Sequence, residues 1–217
     1  MTDFSTRRRM MVDTQVRPSD VTEFPIIDAM LTVPREAFVP AEKIEAAYAG
    51  EHIELGAGRV VLDPRVFAKM IEALDITNKD LVLDIGAGLG YSSAVIAHIA
   101  EAVVAVEDDE ARAEEAQTLL SDTHADNVVV HVGPLTAGAA AHGPYDVIVV
   151  QGGVEELPAT LTDQLKDGGR IVCIFMDGAL GTVRLGHKLD GDVMWRFAFN
   201  GTAPLLAGFE KAKEFAL

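Results

Sequence analysis

The chain has 217 residues and a net charge of −16 at pH 7, from 34 acidic and 18 basic side chains. This length suits one domain with a modest extra lobe, and the acidic balance argues against a nucleic-acid partner, because phosphate backbones are bound by clustered Lys and Arg. The single cysteine, Cys173, excludes an intrachain disulfide and suits a reducing compartment. No apolar run reaches the length of a membrane span or forms a signal peptide, so we expect a cytoplasmic protein without a membrane partner.

Residues 1 to about 75 carry helical rather than strand signals, and we predict a helical extension on the substrate side of the protein. In TEFPIIDAMLTVP, residues 22–34, the apolar positions share one helical face: Ile26, Ile27, Met30 and Leu31. A second helix is predicted in DPRVFAKMIEAL, residues 63–74, with Asp63 as N-cap and Pro64 at the first helical position.

From residue 80 the pattern changes to short apolar runs separated by helical segments. The runs are LVLD (81–84), VVAVE (103–107), NVVVHV (127–132), DVIVV (146–150) and RIVCIF (170–175). Continuous hydrophobicity is typical of strands covered on both faces, as in a parallel sheet. Two last runs, 181–189 and 192–200, predict an antiparallel pair that turns at Asp190-Gly191. The predicted fold of residues 76–217 is therefore a doubly wound α/β domain with a mostly parallel, seven-stranded sheet.

The stretch VLDIGAGLGY, residues 82–91, predicts a ligand that closely approaches the backbone after the first strand of this sheet. The dinucleotide fingerprint G-x-G-x-x-G fails here, because Tyr91 stands where the third glycine belongs. Asp84 suits a cationic ligand such as S-adenosylmethionine, whose ammonium a carboxylate can anchor. Glu107 ends the second strand 23 residues later, where a carboxylate can accept from both ribose hydroxyls. A nicotinamide cofactor and a purely structural turn are the alternatives.

Two sets of motifs carry a resemblance to known families. DIGAGLGY with Glu107, and LKDGGRI at 165–171, resemble the Rossmann-like class I methyltransferases. Four segments resemble the protein-L-isoaspartate O-methyltransferase family: MVDTQVR (11–17), DAMLTVPREAFVP (28–40), AYAGE (47–51) and GPYDVIVV (143–150). The resemblance implies transfer of methyl from S-adenosylmethionine to the free carboxylate of isoaspartyl residues. The partner would be a damaged peptide or protein, and the transfer would start its repair.

The resemblance also implies where the cofactor would bind. The expected cofactor-binding residues lie in the glycine turn and at the strand ends: Asp84, Gly86, Ala87, Gly88, Glu107, Asp108, Pro134, Leu135 and Gln151. Two of these strand ends depart from the family. Its G-D-G, whose aspartate meets the adenine amino group, is Gly133-Pro134-Leu135 here, and its T-A-A is Gln151-Gly152-Gly153.

The strip beside the reacting methyl departs further. The family's G-Q-T-I-S-Q-P is replaced by residues 58–64, so that Leu62 stands in place of the serine and Val60 in place of the threonine. A carboxylate nucleophile needs no general base, so loss of one hydroxyl need not abolish transfer, although it can slow transfer by about two or three orders of magnitude. We therefore expect isoaspartyl transfer to be weak or absent, and no catalytic residue is assigned.

Substrate binding is expected at Arg59, Val60 and Leu62. Arg59 is the new positive charge in the strip: it could clamp the acceptor carboxylate with two parallel hydrogen bonds, or it could be a solvated loop arginine. As a clamp, it would affect use of the acceptor but hardly the affinity for the cofactor.

Two other functions are compatible with the sequence. A methyltransferase with a small-molecule carboxylate acceptor is one alternative, and a cofactor-binding protein that transfers no methyl is another. We expect no metal site, because the histidines are scattered: His52, His98, His124, His131, His142 and His187. The sequence leaves the oligomeric state and the order of the last two strands open.

Overall fold

A computed structural model describes residues 3–212, so residues 1–2 of the predicted extension and 213–217 of the predicted domain lie outside it. The lead-in is mostly helical. It contains α1 (Phe4–Met11), a π turn (Val12–Val16), α2 (Phe24–Thr32) and three 3-10 turns (Arg17–Ser19, Arg35–Phe38 and Ala41–Ala46). Helix α2 confirms the helix predicted in residues 22–34, with Ile26, Ile27 and Met30 buried and Leu31 half-buried.

The lead-in is not wholly helical, and this part of the prediction is corrected. Strands β1 (Ile53–Gly56) and β2 (Arg59–Val61) form an antiparallel hairpin. Both turn residues have positive φ, 49° at Ala57 and 75° at Gly58, as a type I′ hairpin turn requires. Alanine is uncommon at positive φ, so the pair Ala-Gly is a much weaker turn signal than Asn-Gly. The hairpin therefore left little trace in the sequence pattern.

Helix α3 (Pro64–Leu74) follows the hairpin as predicted. Its N-cap is Asp63, whose side chain accepts hydrogen bonds from the N–H groups of Arg65 and Val66 at 2.8 and 3.1 Å. Its apolar face is buried: Phe67, Met70, Ile71 and Leu74. The N-cap fixes the start of α3 directly after residues 60–62 of the strip.

The remaining strands form one seven-stranded sheet. They are β3 (Leu81–Ile85), β4 (Ala102–Glu107), β5 (Val128–Val132), β6 (Tyr145–Val154), β7 (Leu165–Asp177), β8 (Leu180–Leu189) and β9 (Asp192–Asn200). Their order is β5-β4-β3-β6-β7-β8-β9. Strand β8 runs antiparallel to both of its neighbours, β7 and β9, and the other neighbouring pairs are parallel. The predicted doubly wound, mostly parallel sheet is confirmed. Strand order reverses beside β3, the place where ligands bind in such sheets.

Helices cover both faces of the sheet. The connections after β3, β4 and β6 contain α4 (Tyr91–Ala97), α5 (Glu110–Asp122) and α6 (Ala159–Thr162). Alternate residues of β3 belong to two hydrophobic clusters: Val82 joins the cluster shared with the lead-in, and Leu83 joins the other. Among the helices of residues 3–212, none has the length and apolar character needed to cross a membrane.

Strands β8 and β9 form the predicted hairpin. Its turn residues Asp190 and Gly191 both have positive φ, 53° and 89°, and Leu189 pairs with Asp192. Strand β9 lies at the edge of the sheet. The last two strands therefore follow β7 across the sheet in the order β8, then β9.

The chain then returns to the carboxyl end of β6, which the sequence did not predict. We call residues 202–209 the strap. The Gly153 N–H donates to the Pro204 carbonyl at 2.8 Å, and the Leu206 N–H donates to the Gly153 carbonyl at 2.9 Å. Leu206 and Phe209 are buried. The strap therefore covers the edge of the sheet where a ligand site is expected.

Candidate functional site

Three neighbouring strands place polar side chains at one edge of the sheet. Asp84 lies near the carboxyl end of β3, Glu107 ends β4 and Gln151 lies in the last half of β6. Strand β3 lies between the other two, and its Asp84 is in register with Ala105 and Val149. Parallel pairing thus brings together side chains that are 23 and 67 positions apart in the sequence.

Asp84 is fully buried and accepts three hydrogen bonds. Its Oδ2 accepts from the Ser92 and Ser93 hydroxyls, both at 2.6 Å, and its Oδ1 accepts from Gln151 Nε2 at 2.7 Å. Burial raises the pKa of the Asp84 carboxyl, and these three hydrogen bonds act in the opposite direction. Neither serine was among the predicted site residues, although their place in the first turn of α4, directly after the glycine turn, is a usable signal.

Asp84→Asn is expected to stabilise the fold increasingly as pH rises. Because burial raises the pKa of Asp84 above its unfolded value of about 3.9, the carboxyl favours folding when protonated. That contribution is lost as pH rises from the unfolded pKa through the folded pKa, while the amide loses nothing. Urea unfolding between pH 4 and 8.5 measures the gap in stability, defined as the free energy of unfolding of the variant minus that of wild type. The exposed Asp122→Asn is the control for net charge. A gap that stays constant or narrows with pH contradicts this expectation.

Leucines of the chain itself approach the glycine turn. A methyl group added to Gly88 would lie 2.6 Å from Leu55 Cδ1, in the β1–β2 hairpin. A methyl group added to Gly152 would lie 2.5 Å from the side chain of Leu206, in the strap. In this conformation, the hairpin and the strap therefore fill the space that these two glycines leave open.

Glu107 is also fully buried, and five donors or cations surround it. Its Oε2 accepts from the Gly88 N–H at 3.0 Å, and its Oε1 accepts from Arg112 Nη1 at 2.8 Å and from the N–H groups of Asp108 and Asp109. Burial raises the pKa of Glu107, whereas Arg59 and Arg112 act to lower it. The carboxylate thus ties the glycine turn to the start of α5.

The Arg59 side chain contacts two carboxylates that are expected to bind the cofactor, those of Glu107 and Asp108. Its side chain is 3% exposed, its Nε is 3.4 Å from Glu107 Oε2, and its Nη2 donates to Asp108 Oδ1 at 2.6 Å. Burial acts to raise the pKa of Asp108, but its contacts with Glu107 and Arg59 outweigh burial, and that pKa is lowered. The alternative of a solvated loop arginine is therefore wrong. The guanidinium is also occupied by Glu107 and Asp108, so it is not available to bind an acceptor carboxylate. We therefore expect Arg59 to affect the affinity for the cofactor rather than use of the acceptor.

The altered strip forms an apolar wall on the glycine turn. Val60 and Leu62, predicted to contact substrate, are buried. With other residues they line a cavity of about 10 Å³: Val60, Val61, Leu62, Phe67, Ala87, Tyr91, Ser92 and Gln151. This is space for about one water molecule, whereas small-molecule sites usually measure roughly 300–1,000 Å³. Admission of a ligand here requires the strip to move.

The loop after β5, which holds the predicted cofactor residues Pro134 and Leu135, lies beside the same turn. Leu135 is buried, and its Cδ1 would lie 3.5 Å from a methyl group on Gly86. Pro134 is exposed next to it. The structure therefore brings Leu135 to the strand ends together with the glycine turn, Glu107, Asp108 and Gln151.

An open cleft of about 660 Å³ meets the strip at Asp63. Its lining comes from the lead-in, the start of α3 and the ends of β8 and β9: Glu51, His52, Asp63, Arg65, Val66, Ala179, Leu180, Gly181, Thr182, Asn200, Gly201 and Thr202. His52 crosses this region, with Nδ1 accepting from the Asp63 N–H and Nε2 within hydrogen-bond distance of the Thr202 carbonyl, both at 2.8 Å. Through His52 the hairpin, the helix cap and the strap are joined.

The order of the strands and the pair of acids around a glycine turn define a class I, S-adenosylmethionine-dependent methyltransferase. The family model of protein-L-isoaspartate(D-aspartate) O-methyltransferase matches residues 7–193. The chain belongs to this family.

Relatives and solved structures agree with this assignment. The protein-L-isoaspartate O-methyltransferase of Roseiflexus castenholzii is 38% identical over 192 residues, covering 88% of this chain and 87% of that protein. That of Pelotomaculum thermopropionicum is 38% identical over 165 residues, covering 76% and 72%. A solved protein-L-isoaspartate O-methyltransferase superposes with a TM-score of 0.81 at 25% identity, covering 93% of this chain and 66% of the other.

A Plasmodium falciparum structure described as a beta-aspartate methyltransferase shares the fold. It contains S-adenosyl-L-homocysteine and superposes with a TM-score of 0.79 at 15% identity, covering 95% of this chain and 99% of the other. S-adenosylmethionine is the cofactor of the family. These residues fit it chemically, since Asp84 and Glu107 are buried acids that flank a glycine-rich turn. Leu55 and Leu206 lie against glycines of this turn, and Arg59 lies against Glu107.

Proposed function

We propose that the chain transfers methyl from S-adenosylmethionine to the free carboxylate of isoaspartyl residues in peptides or proteins. Family membership over residues 7–193 supports the reaction. The observation that carries the proposal in the structure is the pair of buried acids around the glycine turn: Asp84 lies near the end of β3 just before the turn, and Glu107 accepts from the Gly88 N–H within it. We place the protein in the cytoplasm, and its net charge of −16 disfavours a nucleic-acid partner.

Each acid has a distinct role in this proposal. Asp84 would hold the ammonium of the cofactor, and Glu107 would accept from its ribose hydroxyls, because a buried carboxylate forms strong charge-assisted hydrogen bonds. Ala87, Gly88 and Leu135 would pack against the cofactor from the loops around these acids. The bound cofactor supplies an electrophilic methyl group.

The acceptor side needs little acid-base chemistry. An isoaspartyl carboxylate is already ionised at neutral pH, so the protein has to align it and to exclude water. Val60, Val61 and Leu62 provide an apolar, water-excluding wall but no hydroxyl. We place the acceptor peptide in the open cleft of about 660 Å³ beside Asp63, because the cleft meets the strip there.

Methyl transfer to matched peptides tests this function. An isoaspartyl peptide and its aspartyl twin are incubated with methyl-labelled S-adenosylmethionine, and base-labile methyl esters are counted. We expect ester on the isoaspartyl peptide only, formed about two to three orders of magnitude more slowly than by a relative with the serine strip. Labelling of small carboxylic acids but of neither peptide would favour the small-molecule acceptor. Cofactor binding without labelling of any acceptor would overturn the proposed transfer.

A further inference from the structure

One side chain of the β1–β2 hairpin, residues 53–61, forms ion pairs with the acids beside the glycine turn. Arg59 extends from β2 to the end of β4, where its guanidinium lies within 3.4 Å of Glu107 Oε2 and donates to Asp108 at 2.6 Å. Both contacts go to the acidic pair at the end of β4 where the proposed function places the ribose. The side chain is 3% exposed, so water screens these contacts little.

Apolar contacts close the same space from two directions. Leu55, from the other strand of the hairpin, lies against Gly88, and Leu206 of the strap lies against Gly152. The strap is itself hydrogen-bonded to Gly153. The cavity left beneath the hairpin measures about 10 Å³.

We propose that Arg59 is an internal latch: it holds the β1–β2 hairpin closed on Glu107 and Asp108, so that an adenosyl ligand binds only when the hairpin releases these carboxylates. This inference rests on the proposed use of S-adenosylmethionine and concerns access to that site.

Competition for one carboxylate is the physical basis of the latch. The ribose hydroxyls would need the oxygen atoms of Glu107, but Arg59 Nε lies 3.4 Å from Oε2 and Arg112 Nη1 donates to Oε1 at 2.8 Å. Displacing Arg59 separates a buried ion pair and leaves its charge without a partner in an apolar strip, which is costly. The measured dissociation constant is then the intrinsic one divided by the open fraction.

The same geometry makes glutamine a suitable replacement. Glutamine is the residue that the resembling family has at this position of the strip, and it carries no charge to be stranded when the hairpin opens. In Arg59→Gln, Glu107 keeps its contact with Arg112 and with the Gly88 N–H. The variant should therefore fold while its hairpin opens more readily.

Calorimetric titration with S-adenosylhomocysteine tests the latch. We expect Arg59→Gln to bind on the order of tenfold more tightly than wild type, and Arg59→Lys to fall between them, because lysine keeps the charge but loses the two-pronged contact. Arg112→Gln is the matched control, since it removes an arginine from the same carboxylate without touching the hairpin. It should bind no more tightly than wild type.

Hydrogen exchange of the ligand-free proteins provides a second readout. Amides of residues 53–61 should exchange faster in Arg59→Gln than in wild type and should be unchanged in Arg112→Gln. Equal affinity of wild type and Arg59→Gln would overturn the latch while leaving cofactor use intact. Equal tightening in both variants would assign the effect to charge at Glu107 and would also overturn it. Failure of all four proteins to bind would overturn the latch together with the proposed function.

Discussion

Replacing Arg35 with alanine is expected to lower the free energy of unfolding by about 3–5 kcal/mol. Arg35 is fully buried beneath the strip, where its Nε donates to the Ala47 carbonyl at 2.7 Å and its Nη2 donates to the Leu62 carbonyl at 2.8 Å. Its guanidinium also lies 4.8 Å from the centre of the Tyr91 ring. Alanine would leave two carbonyls unpaired and a large cavity, and both are costly in a core.

Urea unfolding monitored by circular dichroism measures this loss. Arg35→Met keeps most of the volume and should lose less than Arg35→Ala, which separates packing from the lost hydrogen bonds. The exposed Arg65→Ala, in the first turn of α3, is the matched control and should change stability by less than about 0.5 kcal/mol. A loss below about 1 kcal/mol for Arg35→Ala would contradict the view that this side chain supports the strip.

The sheet and its two acids could be predicted because local pattern and topology agree there. Buried parallel strands are continuously apolar, and the carboxyl ends of neighbouring strands meet at one edge. Asp84 and Glu107 therefore had to lie close together once the strand order was inferred. Turn chemistry also identified the β8–β9 hairpin, since Asp190 and Gly191 both tolerate positive φ.

The closure of the site could not be predicted, because it depends on contacts between distant segments. Arg59 pairs with acids 48 and 49 positions away, and Leu206 reaches Gly152 across the sheet edge. In its local sequence, Arg59 looks like any loop arginine, and Leu206 looks like any apolar residue near a terminus. The hairpin that carries Arg59 was not predicted, because its turn places Ala57 at positive φ, a backbone conformation that alanine rarely adopts.

Leu62→Ser is expected to raise the rate of isoaspartyl ester formation by about two orders of magnitude. Leu62 is buried in the wall of the small cavity beside Ala87 and Gln151. It stands where the resembling family has a serine whose hydroxyl lies beside the transferred methyl. A hydroxyl fixed by this wall would orient the acceptor carboxylate, and orientation is the main requirement of a nucleophile that is already ionised.

The substitution also has a cost, so the measurement has to separate activity from stability. Removing the buried leucine side chain should lower the free energy of unfolding by about 2–5 kcal/mol, and rates are therefore compared per folded molecule at low temperature. Val61→Ser, in the same cavity wall, is the matched control: it adds a hydroxyl to the wall at the neighbouring position. An increase for Leu62→Ser alone would place the acceptor carboxylate at residue 62. Equal rates in wild type and both variants would mean that alignment comes from backbone groups of the strip, so that the family's hydroxyl is dispensable in this chain.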